Sequence, residues 1–493
     1  MGRRKRILVV AGTALLGASG VWLGVGTTGR AADPLPPPPP PVQHFKSRPD
    51  LQPPTVSIQH SARGATKGYV FLAPKREAVQ PGPMIIDDRG QVVWFDPLPT
   101  SGVTDFKVQR YHGKPVLTWW QGTVSMRGVG IAGGYHIMDS SYRLLKIVRS
   151  GHGLTGDIHE FKILPGDIAL MTIYRKLPAD LSELGGPSNG FLLEGIVQEL
   201  SIPTGRVLFE WHSLPEVSLS ESLLPVPEDE GTSKNPYDYF HINSADVDSD
   251  GNVLISARHT SAVYKLSRRT RKIIWRLGGK KSNFTFGPAA KFSWQHDVHR
   301  RPDGTITLFD NAAQEPTKGV QSRALRLRVN TSTHRATLVR AYRHRPALLS
   351  PSQGNAQFLA NGNVFVGWGQ NAYFTEYSAA GRVLLDGKFG NAAPNIDSYR
   401  AFRFPWVGTP TRKPEAVLKR PGDTRTVYVS WNGATQVARW VVLGGTDAAQ
   451  LRVVATAAKR GFETAIPVHA PAAKLFVQAL DADGGVLARA SVH

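Results

Sequence analysis

The sequence predicts an all-β chain, a six-bladed β-propeller followed by a small immunoglobulin- or fibronectin-like β-sandwich. Three observations carry that prediction. Short apolar stretches with alternating polarity are broken by Gly, Asn and Asp turns, which is the pattern of β-hairpins. The hairpins recur in pairs at roughly 50 to 85 residues with variable insertions, which fits propeller blades better than a solenoid. Beyond residue 410 the recurrence stops and gives way to a run of short strands of the kind found in sandwiches.

Composition sets the outer limits. With 493 residues, 41% hydrophobic and 20% charged, the chain can bury a large core. Cys is absent, which excludes disulfides, thiolate metal sites and cysteine nucleophiles. The formal net charge is +21, and five of the basic residues (Arg3, Arg4, Lys5, Arg6 and Arg30) fall in the first 32 residues. Another basic cluster runs through 268–281 on an outer hairpin, as a solvated edge. The basic excess suits anionic envelope polymers or small anionic substrates. With no nucleic-acid motif in the chain, nucleic acid is not an expected partner.

In chain order, 1–32 reads as an export signal or N-terminal anchor: MGRRKR, then ILVVAGTALLGASGVWLGVG, then Ala31-Ala32. The apolar run has about the length of a marginal membrane span. Secretion after cleavage and membrane anchoring are both open, and either places the protein outside the cytoplasm. The Pro-rich segment 33–60, with PLPPPPPP from Pro34, is expected to be a stiff linker.

The propeller is expected over 61–410. Its inner hairpins begin at Asp105, His159, His241, His296 and Asn355, with turns at Gly113, Gly166, Gly251, Gly304 and Gly362. Its outer hairpins begin at Met84, Tyr135, Val197, Ala262, Ala324 and Phe374. A sixth inner pair can be made from GYVFLAP near Tyr69 and YRAFRFPWVG near Phe402, closing the ring with strands from both ends. Residues 411–493 form the sandwich, to which a structural or adhesive role is assigned.

The repeat alignment also locates chemistry. A polar residue opens each inner strand, and in a propeller such positions converge on one mouth of the central channel. Three of the five are His, although a ring of strand-end polar groups can also be structural. Arg258 leaves the same blade that His241 enters, which argues against a metal, since the Arg would repel a cation. Arg with His suits a compact anionic oxygen group: sulfate, phosphate or carboxylate. Tyr237, Tyr239 and Phe240 either stack on an aromatic substrate or anchor the insertion 213–236. Asp310 and Asn311 read as loop-ordering residues, and His259 and His299 as locally hydrogen-bonded ones.

His241-x-Asn243, Ser256-Ala257-Arg258, WRLGG at Trp275, WQH at Trp294 and FDN at Phe309 together resemble the PAPS-independent bacterial arylsulfotransferases, in this order and spacing. The resemblance is to the shorter-chain branch and covers most of the expected propeller. It implies ping-pong sulfuryl transfer from a phenolic sulfate ester to a phenol, without nucleotide, metal or other cofactor. It assigns the nucleophile, which becomes a sulfohistidine, to His296, and the anion-binding set to His159, His241, Asn243 and Arg258. The chemistry of these side chains agrees: a neutral imidazole can attack sulfur, Arg and Asn can donate to sulfuryl oxygens, and His159 or His241 can carry the proton. The rival reading is a non-catalytic surface propeller for anionic glycans or partner proteins, which the intact His–Asn–Arg set argues against.

Overall fold

The computed structural model describes residues 41–493 apart from 101, 126–127, 320, 391–395, 421–423, 447–449 and 470–473. The expected export segment and the polyproline run through residue 40 lie outside the described residues. The described chain is all-β: strands and two short 3₁₀ turns, Ser182–Leu184 and Leu219–Glu221, with no α-helix among the described residues. No helix among them is long and apolar enough to cross a membrane.

Six antiparallel meanders follow one another. Sheet I is ordered Phe402–Phe404, Tyr69–Leu72, Met84–Ile86, Val92–Phe95, so its first strand comes from far down the chain. Sheet II is Val103–Tyr111, Lys114–Val124, Gly130–Met138, Leu144–Val148. Sheet III is Gly156–Leu164, Ile168–Ala179, Gly190–Ser201, Val207–His212. Sheet IV is Ile242–Val247, Val253–Ala257, Ala262–Leu266, Ile273–Gly278. Sheet V is His296–Arg300, Ile306–Asp310, Arg323–Asn330, Arg335–Tyr342, with Thr285–Phe286 added in parallel. Sheet VI is Asn355–Phe358, Val364–Gly367, Tyr373–Tyr377, Val383–Phe389, extended by Val56–Ser61. The inner-hairpin turn glycines, Gly113, Gly166, Gly251, Gly304 and Gly362, all have left-handed φ between 70° and 85°, a conformation that costs other residues steric strain.

The strands are buried on both faces, and strand periodicity explains how. Successive side chains point to opposite faces of a sheet, so neighbours in sequence join different apolar clusters. Trp119 packs between sheets I and II, and Trp120 between II and III. Leu254 packs between IV and V, whereas Val253 and Ile255 pack between III and IV. Phe309 and Trp368 fill the space between V and VI, and Leu72, Met84, Phe365 and Phe374 fill that between VI and I. Each of these side chains contributes about 1.5–3 kcal/mol of transfer free energy.

Bulges set up the functional end. The first strands of sheets II to V lose register near their starts, between Thr104 and Lys107, Gly156 and Phe161, Ile242 and Ser244, and His296 and His299. Asp105, His241 and Asp297 there are left-handed, at φ of 57°, 52° and 57°. A bulge of this kind re-aims side chains at a strand end.

The expected linker proves ordered and packed from residue 41 onward. Val56 and Ile58 alternate onto the cluster between sheets VI and I, and the Phe45 ring lies 4.3 Å from that of Phe462. Prolines conceal this strand in the sequence, because only its short 56–61 core carries the alternation. Residues 415–491 form a three-stranded and a four-stranded sheet that share one cluster, including Val427, Val429, Trp440, Val442, Ile466 and Val477. They are tied to sheets I and II: Asn432 Nδ2 donates to the Phe95 carbonyl (2.8 Å), and Tyr142 Oη donates to that of Gly433 (2.8 Å).

Candidate active site

The re-aimed strand ends enclose a cavity of about 530 Å³. His159 from sheet III, His241 from the entry to sheet IV and His296 from sheet V line it. Arg258, which follows the second strand of sheet IV, and Tyr399 complete this wall. Of the six residues expected at the site, four therefore meet around one space.

The three imidazoles are held alike, with a different partner for one of them. His159 Nδ1 contacts the buried Asp157 carboxylate, and His241 Nδ1 lies 2.5 Å from Asp238 Oδ2. A carboxylate accepts, so Nδ1 carries the hydrogen in both rings. Asp157 is itself fixed by the Gly130 and His159 N–H groups (2.7 and 3.1 Å). The partner of His296 Nδ1 is an amide oxygen, Asn311 Oδ1, at 2.7 Å. Asn311 Nδ2 donates to the carbonyls of Ser350 and Gln353 (2.8 and 2.9 Å), which fixes the orientation of the amide and with it the His296 tautomer. Nε2 of His296 is therefore the unprotonated nitrogen, and it accepts only a long contact (3.3 Å) from the Gln353 N–H.

Burial, then the Arg258 charge, hold the His296 imidazole well below its ordinary pKa, and its amide partner offsets little of this. His241 is lowered by burial and by its neighbours His159 and Arg258. Both rings are neutral at neutral pH. The His159 and His241 centroids are 5.0 Å apart, and Tyr399 lies 5.5 Å from His159 and 6.3 Å from His296.

Lys75 and Arg76 also line the cavity but both pair with Asp397 (2.5 and 2.8 Å), so the uncompensated positive charge is that of Arg258. Its guanidinium stacks 3.6 Å over the Trp294 ring, contacts the neutral His259 Nε2 at 2.8 Å and donates to the Pro351 carbonyl at 3.2 Å. Its Nε is buried without a partner. No carboxylate among the described residues pairs with it, and burial pushes its pKa down to about 10, still charged at neutral pH. By contrast Arg323, Arg400 and Arg403, the buried arginines among the described residues, each pair with at least one carboxylate.

Arg400 sits among acidic groups: Asp105 (2.9 Å), Glu160 (3.1 Å) and Asp297 (3.5 Å), with Lys107 bridging Asp105 and Glu160. Asp105 thus belongs to a buried ion network, and Asn355 pairs with the backbone of Ala401 (Oδ1 to N 3.0 Å, Nδ2 to O 2.8 Å). Of the five aligned strand-end positions, the His are at the cavity and these two are structural.

Two expected substrate contacts lie elsewhere. Asn243 is fully buried behind the cavity, where its Nδ2 donates to the Gln295 carbonyl (2.7 Å) and supports the strand that carries His296. Tyr239 is buried in the core between sheets III and IV, its hydroxyl on Ser213 Oγ (2.7 Å), so it anchors and does not stack. Asn311, expected only to order a loop, holds the His296 ring. Asp157 and Asp238 precede their His partners by two and three residues, so Asp-x-His and Asp-x-x-His are the local signals of these pairs in the sequence. Asp238, His241 and His259 could offer metal ligands within 4.8 Å of one another. The Arg258 cation against His259 disfavours a metal ion there.

Comparisons with known proteins address identity. Among curated proteins none matches the chain. Solved structures similar to it include a protein of unknown function from Bacteroides caccae (12% identity, 69% of this chain and 100% of that one, TM-score 0.41). A protein from Lactobacillus plantarum (10%, 82% and 100%, TM-score 0.35) and virginiamycin B lyase from Staphylococcus aureus (10%, 66% and 82%, TM-score 0.25) are also similar. These likenesses are too loose to argue from. The arylsulfotransferase (ASST) family model, however, matches residues 107–390, which span sheets II to VI and every polar group of the cavity wall described above except Tyr399. With more than half of its length matched, and with the motif residues gathered at one site, the chain belongs to the arylsulfotransferase family.

Proposed function

We propose that this arylsulfotransferase moves a sulfuryl group from a phenolic sulfate ester to a phenol, without a nucleotide, through a sulfohistidine on His296. The observation that carries the reading is Arg258, a cation held by neutral groups, on one cavity wall with the unprotonated Nε2 of a neutral His296. In the first half-reaction the Nε2 lone pair forms the N–S bond, and the S–O bond to the aryl group breaks. The departing phenolate takes a proton from a histidine. In the second, the acceptor phenol gives a proton to that histidine, its oxygen attacks sulfur, and the S–N bond breaks. Arg258 stabilises the sulfuryl oxygens as charge develops. Splitting the transfer in this way replaces one difficult step with two easier ones.

The His partners support the division of labour. Asp157 can balance an imidazolium on His159, so that ring suits the proton transfer. The amide of Asn311 orients His296 without adding a negative charge, which suits attack on an anionic ester. A cavity of about 530 Å³ is within the usual range for small ligands.

We also read the six sheets as the blades of a closed propeller over 61–410, and 411–493 as an immunoglobulin-like sandwich. Six inter-sheet clusters, the last joining VI to I, support the closure. The sequence of 1–32 supports an extracytoplasmic protein, secreted or held at the envelope. The test is release of nitrophenol from p-nitrophenyl sulfate with phenol as acceptor and no nucleotide. Wild type should release it and His296→Ala should not; release by both would overturn the assignment of His296.

A further inference from the structure

A long side chain with no carboxylate to orient it needs another clamp, and around Arg258 the clamp is neutral. Trp294 stands out because it touches three parts of the site. Its ring lies 3.6 Å beneath the guanidinium. Its backbone N–H donates to Ser261 Oγ (3.2 Å), and the Ser261 N–H donates to the Arg258 carbonyl (3.0 Å), so Trp294 is tied to the turn that carries Arg258. Its own carbonyl lies 3.1 Å from Nδ1 of His296. The residue is left-handed, φ 52°, a conformation that a bulky side chain adopts only when its surroundings impose it.

The indole is not on the cavity wall, so it acts through Arg258. We propose that Trp294 is a positioning residue whose indole face takes the place of a carboxylate, fixing the Arg258 guanidinium relative to His296 while leaving its charge for the sulfuryl group. The inference rests on the anion-binding role of Arg258 given above. A carboxylate at this place would orient the guanidinium equally well but neutralise it. An aliphatic side chain would leave the charge and lose the orientation. An aromatic face attracts a cation without cancelling its net charge. His259 follows the same logic: burial holds its imidazole down to about 3, so it meets Arg258 as a neutral acceptor.

Trp294→Leu and Trp294→Phe, compared with wild type, test this. The Leu variant should raise KM for p-nitrophenyl sulfate about tenfold with a smaller change in kcat. It should weaken binding of inorganic sulfate, measured by calorimetry, by a similar factor. The Phe variant keeps a flat aromatic face and should restore most of both. Sulfate should also change the tryptophan fluorescence of wild type, and Trp294→Phe should lack that change. Equal sulfate affinity in the Leu variant and wild type would overturn the proposal, whether or not kcat falls. If wild type transfers no sulfuryl group but Trp294→Leu still binds sulfate more weakly, the positioning role stands and the proposed reaction does not.

Discussion

Arg258 and Arg400 are treated in opposite ways by the same fold. Arg400 is fully buried and surrounded by Asp105, Glu160 and Asp297. Burial works against its charge, but those carboxylates raise its pKa well above the ordinary value. Arg258 meets an indole face, a neutral imidazole and a carbonyl, and its pKa is pushed down. A cation among carboxylates is already satisfied and serves the fold. A cation among neutral groups keeps an unmet attraction for an anion, at the cost of its own desolvation. The difference separates a structural arginine from a ligand-binding one using partners alone.

The largest expected effect comes from breaking the compensated side. Arg400→Leu removes the cation shared by three buried carboxylates, leaving Asp105 and Glu160 to Lys107 alone and Asp297 to His299, and should cost about 3–5 kcal/mol in urea unfolding. Acid tests the same network. Burial would raise the Glu160 pKa, but Arg400 and Lys107 overcome this and hold it at about 2, below its ordinary value of 4.5. Its contribution to stability is therefore present above pH 4.5 and lost as pH falls toward about 2. In Arg400→Leu the acid loss of stability should begin at higher pH.

Arg258→Leu should do the reverse. It strands no carboxylate, so stability should change by less than about 1 kcal/mol, while kcat/KM falls about 10²–10³-fold. A large loss of stability in this variant would erase the distinction between the two arginines. The smallest effect comes from importing the carboxylate chemistry into the neutral side. Asn311→Asp sets a carboxylate against His296 Nδ1, which favours the imidazolium and raises its pKa. The acid limb of the pH–rate profile, expected well below the ordinary imidazole range for wild type, should move up by about one unit.

Legibility in the sequence followed the same division. The sheets were readable because alternation and turn glycines are local signals, and even the sheet joining Tyr69–Leu72 to Phe402–Phe404 was expected. Val56–Ser61 was not, since its pairing with Val383–Phe389 is long-range and a proline-rich run leads into it. His159, His241, His296 and Arg258 were found because equivalent positions in a repeat converge in space. Asn243 and Tyr239 have the spacing of His241's own face, yet the left-handed His241 and the bulge between Ile242 and Ser244 break the alternation, and both are buried away from the cavity. Asn311, Gln353, Tyr399 and the Trp294 ring act through contacts between sheets, for which the chain carries no local pattern.

The most direct measurement is the intact mass of the protein after brief exposure to p-nitrophenyl sulfate without an acceptor, with peptide mapping of any adduct. The account predicts one sulfuryl group per chain, located on His296, absent in His296→Ala and removed when phenol is added. An adduct on another residue, or nitrophenol release with no covalent adduct detectable under any quench condition, would contradict it.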